Sequence, residues 1–217
     1  MSGLRARQKA KRNRSILEAA SLLFRQVGYE AARIDAIAGA AEVSVGTFYN
    51  YFENKADLLL AIVSMEVEEV LHQGEAVVAH PPADAADALC TLIGTYYDHS
   101  LVWLTKEMWR TAMALAIQHP EAPFSRRYRA LDQALCTQMI ALIGRLQVAG
   151  AIRRDLDAAA AGEVIFNDVN TRFTAFAMDE ALTLDVLKAS VFAHMRALTV
   201  LFVPGIPPPA QGSGSES

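Results

Sequence analysis

This chain lacks most of what catalysis, secretion or membrane insertion would need. It has two cysteines in 217 residues, Cys90 and Cys136, without metal or redox spacing, which fits a reducing compartment. Nothing near Met1 reads as an apolar signal segment, and no apolar run is long enough to cross a bilayer. A cytoplasmic protein with no membrane partner is therefore expected. Glycine-rich phosphate loops and alternating β patterns are also missing. The histidines are scattered, and no serine or cysteine has a partner arrangement that spacing reveals, so neither an enzyme nor a cofactor is expected. Glu68, Glu69 and His72 could form a metal corner, but without other ligands nearby they read as a solvated helix face. The expected metal set is none.

Acidic charge is missing from the first seventeen residues. Arg5, Arg7, Lys9, Lys11, Arg12 and Arg14 all precede Glu18, the first acid. Residues 1–60 carry a net charge of +3, whereas the whole chain carries −4. A basic end on an acidic protein suggests nucleic-acid binding there and another task elsewhere.

What is present is a pair of short helical patterns beside that basic end. Residues 33–41 place Ile34, Ile37, Ala38 and Ala41 at helical spacing. After Glu42 and Val43, Ser44 is a good N-cap for a second helix. On that helix Val45, Phe48 and Phe52 share one side, Gly46, Thr47, Asn50 and Tyr51 fall on the other, and Tyr49 sits at the rim. Two turns of helix are not stable alone. A helix, tight turn and second helix with a polar outer face, flanked by basic charge, is the pattern of a helix-turn-helix DNA reader. An ordinary pair of core helices would share the spacing without the charge.

The run from Gly28-Tyr29-Glu30 to Phe52-Glu53-Asn54-Lys55-Ala56-Asp57-Leu58-Leu59 resembles the DNA-binding domain of the TetR family of bacterial transcription regulators. Every letter of that family's Val-Ser-x-Gly-Thr-Phe-Tyr-x-Tyr/His-Phe-x-x-Lys run is present from Val43 to Lys55. Two positions depart from it. Arg33 stands where a capping threonine is usual, and Glu42 replaces a turn glycine, so Glu42 should take a left-handed conformation. The resemblance covers about the first sixty residues.

Helix one is expected over residues 15–27, burying Ile16, Ala20, Leu23 and Val27 and stopping at Gly28. Asn54 caps helix four, which runs on as one rod until His80-Pro81-Pro82. Helical patterns follow over residues 84–103, 106–118, 124–148, 155–179 and 184–203. The fold class is all-α, with about nine helices. The expected domains are a basic N-terminal arm (1–14), a helix-turn-helix domain (15–60), a helical effector-binding and dimerisation domain (61–204) and a disordered tail (205–217).

The expected function is sequence-specific DNA binding in transcription regulation, as a repressor released by a small hydrophobic or aromatic effector. Asn50 should read a base, and Arg33, Ser44, Val45, Gly46, Thr47, Tyr49, Tyr51 and Lys55 should form the rest of the DNA surface. The basic arm should add salt-dependent affinity and reach the adjacent minor groove. Trp103, Glu107, Trp109, Met113, Phe166, Asn167 and Asn170 mix apolar and polar groups as a pocket would. Asp168 and Arg172 read as an i, i+4 salt bridge. The resemblance implies a homodimer formed by the last two helices, for which Phe173, Phe176, Val191, Met195 and Leu198 are candidates. Two such readers about 34–36 Å apart would suit a near-palindromic operator. A helical carrier or enzyme would bind ligand but show no salt-steep DNA affinity. A nucleoid protein would bind DNA without an effector or a preferred sequence.

Overall fold

The computed structural model describes residues 2–204, with side chains from Ala6 onward. The expected tail at 205–217 lies outside the described residues. Among those residues there are nine helices and no strand. They are α1 (Ser2–Val27), α2 (Ile34–Ala40), α3 (Val45–Tyr49), α4 (Lys55–Ala79), α5 (Ala85–His99), α6 (Lys106–Gln118), α7 (Pro123–Val148), α8 (Ala158–Met178) and α9 (Leu184–Thr199).

The boundaries follow local chemistry. Ser44, Asn54, Asp84, Thr105, Asp157 and Thr183 each cap the following helix with a side-chain oxygen that accepts from a first-turn N–H. Gly28 and Gly150 sit at φ +82° and +79° just beyond α1 and α7, the left-handed geometry that ends a helix. Glu42 takes φ 56° in the turn between α2 and α3, as expected. No side chain caps α2, because Arg33 occupies its N-cap.

Several expectations need correcting. The basic stretch is not a separate arm: it is the first half of α1, with Arg7, Lys9, Lys11 and Arg12 exposed. A helix about 10–12 Å wide is too broad for a minor groove about 6 Å wide, so the expected entry into that groove does not fit this conformation. The buried face of α1 is Ile16, Leu17, Ala20 and Phe24, and Val27 is 50% exposed at the helix end. On α3, Val45 is 41% exposed, while Phe48 and Phe52 carry the burial alone. The α-helix itself is shorter than expected, because Asn50 and Tyr51 form a turn closed by Tyr51 and Phe52 N–H donating to the Phe48 carbonyl.

Helix α4 is the axis of the molecule. Its first turns pack on α1, and its later turns pack on α5, α6 and α7. Helices α7 and α8 approach closely at Gly162, where a Cβ would lie 2.5 Å from Ile140. One continuous core therefore runs from Phe48 through Leu58 and Ile62 to Leu142 and Ile165.

Candidate DNA-binding face and ligand cavity

The short α3 is held from below and open above. Phe48 is fully buried and lies 5.5 Å from Tyr49 and 5.7 Å from Phe52, ring centre to ring centre. Ser44 Oγ accepts from Thr47 N–H at 3.0 Å and lies 2.8 Å from Thr47 Oγ1. Above this frame Ser44, Val45, Gly46, Tyr49 and Asn50 are exposed, and Thr47 and Tyr51 are half-buried. Tyr49 is 52% exposed. Arg33, Val45, Tyr49 and Lys55 border one shallow groove.

Two cationic members of the set are already engaged. Arg33 grips Asp35 bidentately, at 3.0 and 2.9 Å. The Lys55 ammonium donates to the carbonyls of Tyr29 and Glu30 at 2.9 and 2.8 Å, 4.9 Å from the Tyr29 ring centre. Burial, and then the Glu30 charge, push the Tyr29 phenol up to about 12, so the ring stays neutral beneath the cation. Lys55 thus ties the start of α4 to the turn after α1, with one N–H left over.

A second site lies in the larger domain. Helices α4 to α8 enclose a cavity of about 70 Å³. Its walls are Val63, Val67, Val70, Tyr96, Tyr97, Trp109, Tyr128, Leu131, Leu135, Phe166, Val169 and Phe173, with Glu66, Ser100, Asp132 and Asn170 as polar members. Of the residues expected here, the structure brings Trp109, Phe166 and Asn170 to the wall. Asn167 is exposed and Met113 is half-buried against the core.

Trp103 and Glu107 belong to the seam between the two parts of the molecule. Glu107 Oε1 accepts from Tyr29 N–H at 3.0 Å, and its carboxylate lies over Gly28. The Trp103 carbonyl accepts from Ser21 Oγ. Trp103 Nε1 donates to Glu69 at 2.9 Å, and Arg14 bridges to the other Glu69 oxygen at 3.0 Å while lying 4.9 Å from the indole centre. Behind them Glu66 is 1% exposed and accepts from His99 Nδ1 at 2.7 Å and from Trp103 N–H at 3.3 Å. Burial pushes the Glu66 carboxyl up to about 7, against the pull of His99. Reasoning from sequence missed Glu66, Asp132 and Ser100. Their only advance signal was an acid or hydroxyl at helical spacing from cavity aromatics, a pattern that many solvated acids share.

The metal-corner residues point to separate partners. Glu68 pairs with Arg127 at 2.7 Å, Glu69 joins the seam, and His72 faces Glu75 at 3.3 Å. Asp168 and Arg172 do form the expected i, i+4 pair at 3.0 Å.

The proposed interface residues need the largest correction. Phe173, Phe176, Val191 and Met195 are buried inside the protomer, Val191 completely, and Leu198 is half-buried against the same core. The outward stripes are others: Ala160, Val164, Asn167, Thr171, Ala175 and Met178 on α8, and Val186, Ala189, Ala193, Ala197 and Val200 on α9. Both helices are apolar around much of their circumference, so sequence alone could not say which apolar side packs inward.

A polar helix presented over a packed aromatic base, behind an exposed basic helix, defines a helix-turn-helix DNA-binding protein. Comparison with known proteins agrees. Residues 16–62 match the family described as "Bacterial regulatory proteins, tetR family". The fatty acid metabolism regulator protein of Bacillus subtilis is 25% identical over 205 residues, covering 92% of this chain and 98% of the relative. The transcriptional repressor KstR of Rhodococcus jostii is 41% identical over 68 residues, about a third of each chain (31% and 32%). Among solved structures, a TetR-family regulator from Mesorhizobium loti superposes with a TM-score of 0.70 at 19% identity, over 90% of this chain and 98% of that one. The Bacillus subtilis regulator FadR, in complex with stearoyl-CoA, gives 0.63 at 21% identity, over 83% and 96%. Residues 16–62 therefore carry the helix-turn-helix DNA-binding domain of the TetR family of transcriptional regulators.

Proposed function

We propose that this chain is a cytoplasmic, homodimeric repressor that leaves a near-palindromic operator when a small hydrophobic or aromatic molecule enters the α4–α8 cavity. The observation that carries the reading is continuity along α4. Lys55 at its first turn anchors the DNA-reading head, and Val63, Glu66, Val67 and Val70 further along line the cavity. A ligand that displaces those wall residues acts on the element that sets the head's position, shifting the population between DNA-competent and released states. The seam formed by Glu107, Trp103, Glu69 and Arg14 joins the same two parts at a second place. A relative named for fatty acid metabolism, and a related structure holding stearoyl-CoA, favour an effector with an apolar body.

At the duplex, Asn50 pairs with a base edge, and Ser44, Thr47, Tyr49 and Tyr51 position the helix on phosphates. The outward α8 and α9 stripes, made of small and apolar side chains, form the four-helix contact with a second copy. The test is selection of genomic fragments by the purified protein, followed by titration of stearoyl-CoA and smaller apolar compounds against the best fragment. The proposal requires a preferred fragment, a dimer on it and release by at least one apolar compound. A monomer, or binding without sequence preference, overturns it.

A further inference from the structure

The cavity contains acid without base. Among its wall residues are two carboxyl groups, Glu66 on α4 and Asp132 on α7, and no lysine, arginine or histidine. Glu66 is partnered from behind by His99 and the Trp103 N–H. Asp132 differs. It is half-buried in the wall and has neither a hydrogen bond nor an ion pair among the described residues. A carboxylate held in apolar surroundings with no partner is unfavourable, and the protein meets that cost by raising the group's affinity for a proton. Burial accordingly pushes the Asp132 carboxyl up to about 6.

The aromatic walls point the same way. Tyr97 OH donates to the Val169 carbonyl at 2.9 Å, Tyr96 OH to Gln138 at 3.0 Å, and Trp109 Nε1 to the Ser100 carbonyl at 2.7 Å. Their donors are spent on the protein. What these rings retain for a guest is π surface, which attracts cations and tolerates apolar groups. An anionic head group would meet two carboxyls and no counter-charge, with only uncharged donors such as the Tyr128 hydroxyl and the Asn170 amide to offset them, so the wall disfavours an anion.

We infer that the effector recognised by this cavity carries a basic nitrogen, an organic ammonium on an apolar or aromatic body, whose positive charge pairs with Asp132. The inference rests on the ligand-release reading above for its biological meaning, but its binding chemistry is tested separately. The ammonium supplies the partner that Asp132 lacks and keeps the carboxyl ionised, and the aromatic walls take the body.

The test uses the full-length protein at pH 7.5 and three probes that differ only in head group: 4-phenylbutylamine, 4-phenylbutanol and 4-phenylbutanoate. Binding is followed by tryptophan fluorescence, since Trp109 lines the cavity. The amine should bind at least tenfold more tightly than the alcohol, with the carboxylate weakest. Asp132→Asn should bring amine and alcohol within about threefold without weakening the alcohol, and Asp132→Glu should restore the preference. Equal or tighter binding of the alcohol or carboxylate overturns the inference, as does failure of all three to bind or a preference unchanged in Asp132→Asn. The same probes and stearoyl-CoA are then added to the operator complex. Release by stearoyl-CoA or the alcohol with no amine preference overturns the basic head group while leaving ligand release intact. Preferred amine binding without release of DNA by any probe leaves the inference standing and removes the release reading.

Discussion

The carboxylate of Glu107, on the first turn of α6, accepts from the backbone N–H of Tyr29 at 3.0 Å, just beyond the end of α1. Gly28 adopts φ +82° there, and an added Cβ would lie 3.3 Å from the same carboxylate. A group in the larger helical part thus completes the turn that leads into the helix-turn-helix part.

Glu107→Ala should therefore weaken communication more than folding. A charge-assisted hydrogen bond of this kind contributes about 1.5–3 kcal/mol. The expected result is operator affinity within about threefold of wild type and a blunted response to effector. Hydrogen exchange checks the cause, because the Tyr29 amide should lose protection while core amides of α4 keep theirs. An unchanged Tyr29 amide would separate Glu107 from the coupling.

At the DNA face, Asn50→Ala should relax preference at one base pair, by about 1–3 kcal/mol of discrimination. Lys55→Ala should weaken binding to every duplex alike, and it should also lower the melting temperature of the head, since it removes two hydrogen bonds to the Tyr29 and Glu30 carbonyls. Paired measurements on operator and scrambled DNA decide the matter. Equal losses on both duplexes for both variants would refute the division of roles.

The two sides of α9 should respond differently to substitution. Val191→Ala removes a fully buried side chain and should destabilise the protomer by about 0.5–3 kcal/mol while leaving the dimer intact. Ala193→Arg, on the exposed side, should leave the protomer folded and shift sedimentation toward the monomer. Dimerisation that survives Ala193→Arg unaltered would move the interface away from this stripe.

Stability should depend on pH through the cavity acid. Folding raises the Asp132 pKa to about 6, so between about pH 4 and 6 the folded state holds a proton that the unfolded state has released. Stability from this group is therefore lost as pH rises through that window. Glu66, raised to about 7, adds the same sign up to neutrality. Asp132→Asn should flatten the fall between pH 4 and 6 and stabilise the apo protein at pH 7 by on the order of 1–2 kcal/mol. Thermal melts across that range provide the check.

The DNA-reading head was the most legible part of the sequence. Ser44 caps α3, Asn54 caps α4 and Gly28 ends α1 as the local residues demanded, and Glu42 enters left-handed space as the family resemblance implied. The cavity was legible only in part. Trp109, Phe166 and Asn170 were found, but Glu66 and Asp132 were not, because an acid on a helix gives no sign of which neighbours will pack around it.

Sequence alone determined the all-helical class, many of the caps and stops, and the chemistry of the recognition turn, because caps, glycines and prolines act within a few residues of themselves. It also determined that a basic stretch precedes an otherwise acidic chain. The tertiary structure alone decided direction: that Phe173, Phe176, Val191 and Met195 face inward, that Val45 faces out, and that Glu107 reaches back to Tyr29. A helix that is apolar on several sides satisfies its own backbone whichever way it turns, so the choice belongs to the neighbours that pack against it.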